Sequence, residues 1–197
     1  QGGCSSLFSN TARVEVHPLP IISTNPIDTQ EICEGGTSQA LSISTSGGFG
    51  NATYQWYSNT INSNTSGGTA IAGANQLSYT PAVFNTPGVY YFYVEAIFDG
   101  TGCGFTVSDV ATINVINDPI ITSQPQTSQT QCQNAAADDL VVAASGGIGT
   151  LMYQWYSNNT SSNTGGNLIA GASSTTYTPH TTAVGTVNYY FVVSYTH

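Results

Sequence analysis

The chain has 197 residues, of which only 6% are charged; Arg13 is the only residue of the Lys and Arg type, and the formal net charge is −9. A nucleic-acid backbone and an anionic membrane surface are both bound through clusters of Lys and Arg, so neither is a partner. No apolar run approaches the roughly 18 residues of a membrane span, which excludes direct membrane insertion through a helix, and the lack of Lys excludes Lys–Asn isopeptide cross-links.

The first residues read as the end of a unit. Thr11-Ala12-Arg13-Val14-Glu15-Val16 alternates Ala12, Val14 and Val16 with Arg13 and Glu15, the pattern of a half-buried strand. Cys4 and this strand recur 99 residues later at Cys103 and Ala111-Thr112-Ile113-Asn114-Val115. Residues 1–17 are therefore expected to be the last strand of a preceding repeat, or of a repeat in a neighbouring chain. The chain begins at Gln1 rather than Met, as expected of a processed protein or a piece of a larger one.

Pro18-Leu19-Pro20-Ile21-Ile22 matches Asn117-Asp118-Pro119-Ile120-Ile121, and Pro26 and Pro125 follow. Proline cannot donate to a central ladder, so these are stiff junctions leading into edge strands. A complete domain is expected over 18–117 and a second, lacking its last strand, over 118–197.

Within the first domain, Leu41, Ile43 and Thr45 alternate with Ser42 and Ser44 as one strand. The run Tyr54-Gln55-Trp56-Tyr57-Ser58-Asn59 follows and returns as Tyr153-Gln154-Trp155-Tyr156-Ser157-Asn158, again 99 residues on. Short strands are expected at Ile71–Ala74 and Leu77–Pro81, with counterparts where the offset slips to 98 and is then regained. From Gly88 to Phe98, Tyr90, Phe92, Val94 and Ala96 alternate with Tyr91, Tyr93 and Glu95. Asp99-Gly100-Thr101-Gly102 turns this strand into a closing strand over 105–116, and His197 aligns with Phe98. About seven short strands per unit, one Trp each and no helical period give an all-β class: tandem immunoglobulin-like β-sandwich repeats of about 99 residues.

The order of Cys33, the apolar strand, Tyr-x-Trp-Tyr, Gly-Gly, Tyr-x-Pro, Tyr-Tyr, Cys103 and a Val-rich strand resembles the Ig-like tandem repeats of large Bacteroidota surface proteins, the gliding adhesins and other type IX secretion cargo. The resemblance implies an extracellular, bacterial cell-surface location, with the repeats serving as spacers, stalks or adhesive modules.

Repeat symmetry then pairs Cys33 with Cys103 in an intrachain disulfide, whose closure of 70 residues is worth roughly 4 kcal/mol in the chain-entropy model. Cys4 and Cys132 are left with partners outside this chain. Either both partners lie in further sequence of a longer array, or the first strand of one chain completes the open domain of the next and Cys4 bonds Cys132 between chains.

Trp56 and Trp155 read as core. Tyr57, Tyr91, Tyr93, Tyr156 and Tyr190 are expected on an outer face as a contact surface, since Tyr joins a rigid apolar ring to a polar tip. No cofactor or metal is expected. A structural calcium needs six to eight oxygens, but Glu34 faces Gln133, Asp118 faces Leu19 and Asp138 faces Gln39 in the repeat, while Glu31 and Asp139 merely lie near domain starts. His17, His180 and His197 are scattered and no nucleophile elbow occurs, so no enzyme is expected. The sequons at Asn51, Asn64, Asn158 and Asn159 are read as coincidence in Asn/Thr-rich loops.

The expected function is a rigid, disulfide-locked repeat of an extracellular fibre, stalk or adhesin, either within a longer array or assembled head to tail by strand complementation. Its partners would be neighbouring copies of the repeat. The alternative is a carbohydrate-binding module holding surface polysaccharide on its tyrosines.

Overall fold

The computed structural model describes residues 6–101 and 104–195, and among them are seventeen strands and no helix. Cys4, Cys103 and His197 lie outside the described residues. The first repeat contributes β1 (Ile21–Thr24), β2 (Thr29–Cys33), β3 (Leu41–Ser42), β4 (Ser44–Ser46), β5 (Ala52–Asn59), β6 (Thr69–Ala70), β7 (Ser78–Tyr79), β8 (Gly88–Phe98), β9 (Phe105–Val107) and β10 (Ala111–Ile116). The second contributes β11 (Ile120–Ser123), β12 (Leu140–Val141), β13 (Ala143–Ser145), β14 (Leu151–Asn158), β15 (Asn167–Leu168), β16 (Thr176–Tyr177) and β17 (Asn188–Tyr195).

One sheet of the first repeat runs β2-β10-β8-β5-β6, with β9 also on β8, and the pairs β1–β4 and β3–β7 are formed separately. β2 and β10 are parallel, with Cys33 beside Ile116. The second repeat copies the two small pairs as β11–β13 and β12–β16, but its larger sheet holds only β15-β14-β17. All of this is the sheet-on-sheet class expected from the alternating pattern. By contacts the chain groups into two compact units, one of Gln1–Asp28, Ala40–Tyr79 and Tyr91–Ala111, the other of Thr29–Gln39, Thr80–Tyr90 and Thr112–His197. This grouping cuts β8 and so does not follow the sequence repeat.

Each Trp is fully buried, and its indole N–H donates to a loop carbonyl, Trp56 Nε1 to Gln76 O at 2.9 Å and Trp155 Nε1 to Ser174 O at 2.8 Å. Trp56 meets Tyr79, which meets Phe92; Trp155 meets Tyr177, which meets Tyr189. Leu140 and Val142 pack with Trp155, and Phe191 lies against them half-buried.

Several expectations change. Thr11–Val16 forms no strand and is exposed, because a strand without a ladder partner leaves its backbone to water. Ile71–Ala74 is a turn closed by the Ala74 N–H on Ile71 O at 3.2 Å, and the short strand there is β6. The closing strand is two strands, broken where Ser108 takes both backbone groups of Val94: its N–H donates to Val94 O and its Oγ accepts the Val94 N–H.

The register of β17 also differs. Trp56 lies opposite Val94 and Trp155 opposite Phe191, so Tyr190 stands where Tyr93 does and Tyr195 where Phe98 does. The offset in this strand is 97, not 99. The residue lost earlier in the loops is not regained; a second is lost, and the glycines at positive φ before the two strands, Gly88 and Gly185, keep the same offset.

Candidate functional site

The repeated hexapeptide owes its polar residues to loop building. Gln55 Nε2 donates to Trp56 O and Ile71 O, both at 2.8 Å, and Gln154 Nε2 does the same to Trp155 O at 2.9 Å and Ile169 O at 2.8 Å. Asn59 Nδ2 donates to Ser63 O and Ser66 O while its Oδ1 accepts from Thr60 N; Asn158 repeats this toward Ser162 O, Thr164 O and Thr160 N. Recurrence marked these residues, but neither role is visible from type alone.

The tyrosines expected on an outer face are brought together as two pairs. Tyr57 stacks on Tyr93 and Tyr156 on Tyr190, each at a centroid distance of 5.0 Å and 7° between planes. Tyr91 stays apart, half-buried and opposite Asn59. Tyr57 Oη donates to Glu95 Oε2 at 3.1 Å, and burial followed by that carboxylate raises its pKa. Burial and then Glu95 raise Tyr93 likewise. Tyr93 is buried under Gly68, so only part of the first pair meets solvent, in a cleft of about 370 Å³ shared with Asn64, Thr65, Phe105 and Val107. In the second pair Tyr190 Oη accepts the Gly166 N–H at 3.1 Å.

The larger feature is an open edge. In the first repeat β10 fills the place between β2 and β8. In the second, residues 128–132 correspond to β2 but form no strand, and a cleft of about 1010 Å³ opens between residues 125–131 and Val187–Tyr190. Its far wall is already held. Gln129 bonds Asp138 through Asp138 N–H on Oε1 at 2.8 Å and Nε2 on Asp138 O at 2.9 Å, as Gln30 bonds Gln39. Asn134, at φ 63°, replaces Gly35 at φ 74°, and its N–H reaches Thr181 O at 3.0 Å as that of Gly35 reaches Phe84 O at 2.8 Å. The near wall is half-dressed: Phe92, Tyr93, Val94 and Ala96 are buried, whereas their counterparts Tyr189, Tyr190, Phe191 and Val193 are all half-exposed.

Cys33 is a free, buried thiol, and its expected partner, Cys103, lies outside the described residues. Cys33 lies beside Ile116, with the Glu34 N–H on Ile116 O. Cys33 also hydrogen-bonds Tyr195, and that bond, then burial, then the Asp118 carboxylate, pushes the Tyr195 phenol up to about 12. Cys132 is exposed and free. Among the described residues no three His, Cys, Asp or Glu side chains converge as a metal site.

Fold and edge together define an all-β chain of Ig-like sandwich repeats. A family model described as Domain of unknown function (DUF8696) matches residues 24–117, the first repeat. No curated protein matches the chain. Among solved structures, it is similar to Sidekick-1 immunoglobulin domains 1-5, with 18% identity and a TM-score of 0.44 over 72% of this chain and 28% of that one. It is also similar to Drosophila OTK extracellular domains 3-5, with 18% identity and a TM-score of 0.32 over 73% of this chain and 51% of that one. A third is the Clostridium thermocellum CbhA fibronectin(III)-like modules, with 15% identity and a TM-score of 0.28 over 89% of this chain and 85% of that one. The chain thus spans about half or less of the first two.

Proposed function

We propose that this chain is a structural repeat of an extracellular bacterial fibre, stalk or adhesin, in which successive Ig-like repeats carry load or position a distal group. The observation that carries this reading is the duplication of a loop-pinning framework in tandem. Such a framework stiffens loops and leaves few groups free for chemistry. The rigidity rests on the buried Trp, the Gln and Asn loop anchors and the proline junctions. Immunogold labelling of intact source cells with antibody to the repeats tests it. Label on surface-attached appendages is expected, and label confined to the cell interior would overturn it.

The carbohydrate reading is weaker. A sugar platform needs an exposed ring face, and each tyrosine of the two pairs spends one of its two faces on its partner. Saturable quenching of Tyr and Trp fluorescence by surface polysaccharide, lost in Tyr57→Ala, would restore it.

A further inference from the structure

We propose that the cleft on the outer face of β8 and β9 is a docking site for a lysine side chain displayed by a partner protein, with the Glu95 carboxylate as its acceptor. This goes beyond the structural role, which needs no ligand.

The register builds the site. On the outer face of this sheet Tyr57 stands opposite Tyr93, Glu95 between Gln55 and Val107, and Ile97 between Thr53 and Phe105. Glu95 is thus a single half-exposed carboxylate among rings and aliphatic chains, in the cleft of about 370 Å³ that Tyr57, Asn64, Phe105 and Val107 line. Gln55, its neighbour on β5, gives its amide to Trp56 O and Ile71 O and donates nothing to it. Tyr57 Oη donates to Glu95 Oε2, and among the described residues no donor or cation reaches Oε1.

The second repeat shows that the fold does not need this carboxylate. Gln154 stands opposite Val192 as Gln55 does opposite Glu95, yet Tyr156 and Tyr190 stack at the same 5.0 Å and 7° as Tyr57 and Tyr93. Partial burial of a charge among apolar groups costs free energy that one phenol hydrogen bond only partly offsets. A cation arriving from outside recovers it.

The chemistry selects that cation. Oε2 is held by Tyr57, so the open oxygen is a single acceptor, which suits the compact ammonium of lysine and leaves a guanidinium without its second oxygen. Asn64 turns its Nδ2 to Ser108 O at 2.7 Å, which leaves its Oδ1 as a second acceptor in the same cleft. The rings of Tyr57 and Phe105 attract a cation and cover a methylene stem. Ile97 and Phe105, 46% and 63% exposed, carry the apolar surface past the carboxylate and suit apolar neighbours of the lysine in a polypeptide better than a free amine. A second copy of this chain has no lysine, and its one arginine is paired with Glu15 at 2.7 Å, so the partner is another protein. The net charge of −9 draws a basic one.

The test titrates the purified chain with acetyl-leucyl-lysyl-leucinamide in about 0.15 M salt and follows the ring proton resonances of Tyr57 and Phe105. Saturable shifts there at millimolar peptide, with none at Tyr156, are expected. The norleucyl analogue, which keeps the stem and loses the charge, should bind at least about tenfold more weakly, and so should the lysyl peptide to Glu95→Gln, which keeps an acceptor for Tyr57. The arginyl analogue, and the lysyl peptide on Phe105→Ala at unchanged circular dichroism, should each lose at least about threefold. No saturable shift, equal binding of the norleucyl peptide or unchanged binding by Glu95→Gln would overturn the site, as would shifts of equal size at Tyr156, which mean attraction to net charge only. Tighter binding of the arginyl peptide would overturn the choice of lysine, and equal binding of n-butylammonium would overturn the protein source in favour of a free amine. Surface labelling is untouched by each of these results and tests the broader reading separately.

Discussion

β8 and β17 carry nearly the same residues and pair with the same tryptophan strand, yet one is sealed and the other is not. β8 has β10 and β9 on its free side and buries Phe92, Tyr93, Val94 and Ala96. Among the described residues β17 pairs with β14 alone, and no residue of it is buried. Trp155 is nonetheless as inaccessible as Trp56. A sandwich core is thus set by its central strand and the opposing layer, while the edge strand finishes the flanks.

The strongest probe of that difference is the tryptophan itself. Trp56→Ala is expected to cost about 3–5 kcal/mol, and Trp155→Ala about 1–2 kcal/mol less, because its half-exposed neighbours can collapse into the void. Urea unfolding read by circular dichroism checks this, with the surviving Trp reporting on the other repeat, and equal losses would refute the sealed-versus-open contrast.

Next comes the buried serine. Ser108→Ala leaves the Val94 N–H without its acceptor and should cost about 1–3 kcal/mol, whereas Ser9→Ala should leave the isolated chain unchanged. Thermal melts of the two variants decide it; a matching loss for Ser9 would mean that its segment is already packed.

The loop anchors predict equality instead. Gln55→Ala removes two hydrogen bonds to carbonyls and Gln154→Ala the same two with a longer third to Ala172 O at 3.3 Å, and each should cost about 1–2 kcal/mol, with amide exchange rising locally at Ile71–Ala74 or at Ile169–Ala172. A difference above about 1 kcal/mol would show that the edge strand also supports the loop.

The smallest effect is alkaline. Tyr195 has its folded pKa raised to about 12 against a usual value near 10, so its contribution to stability is complete below about pH 10 and is lost as pH rises from about 10 to about 12. Tyr57 and Tyr93 shift in the same direction. Tyr195→Phe should remove the last step of the phenolate absorbance titration; an unchanged final step would place another tyrosine there.

Much of the architecture was legible in the sequence. Alternation and turn residues announced β5, β8, β14 and β17 and the Trp core. The site was legible in part. Tyr57, Tyr93, Tyr156 and Tyr190 were singled out, but as an outer face rather than as stacked pairs, and Tyr91 does not join them. Gln55 and Asn59 were visible only as recurring letters, because what they bond is carbonyl oxygen in loops whose path no local pattern encodes.

Composition, period and turn chemistry are local, so the sequence alone determined the all-β class, the 99-residue repeat and the likeness of Thr11–Val16 to a closing strand. The tertiary structure decided the register of β17. A shift of two residues leaves every side chain of a strand on the same face, so alternation cannot detect it. Only the fit of Tyr190 onto Tyr156 and of Phe191 against Trp155 does.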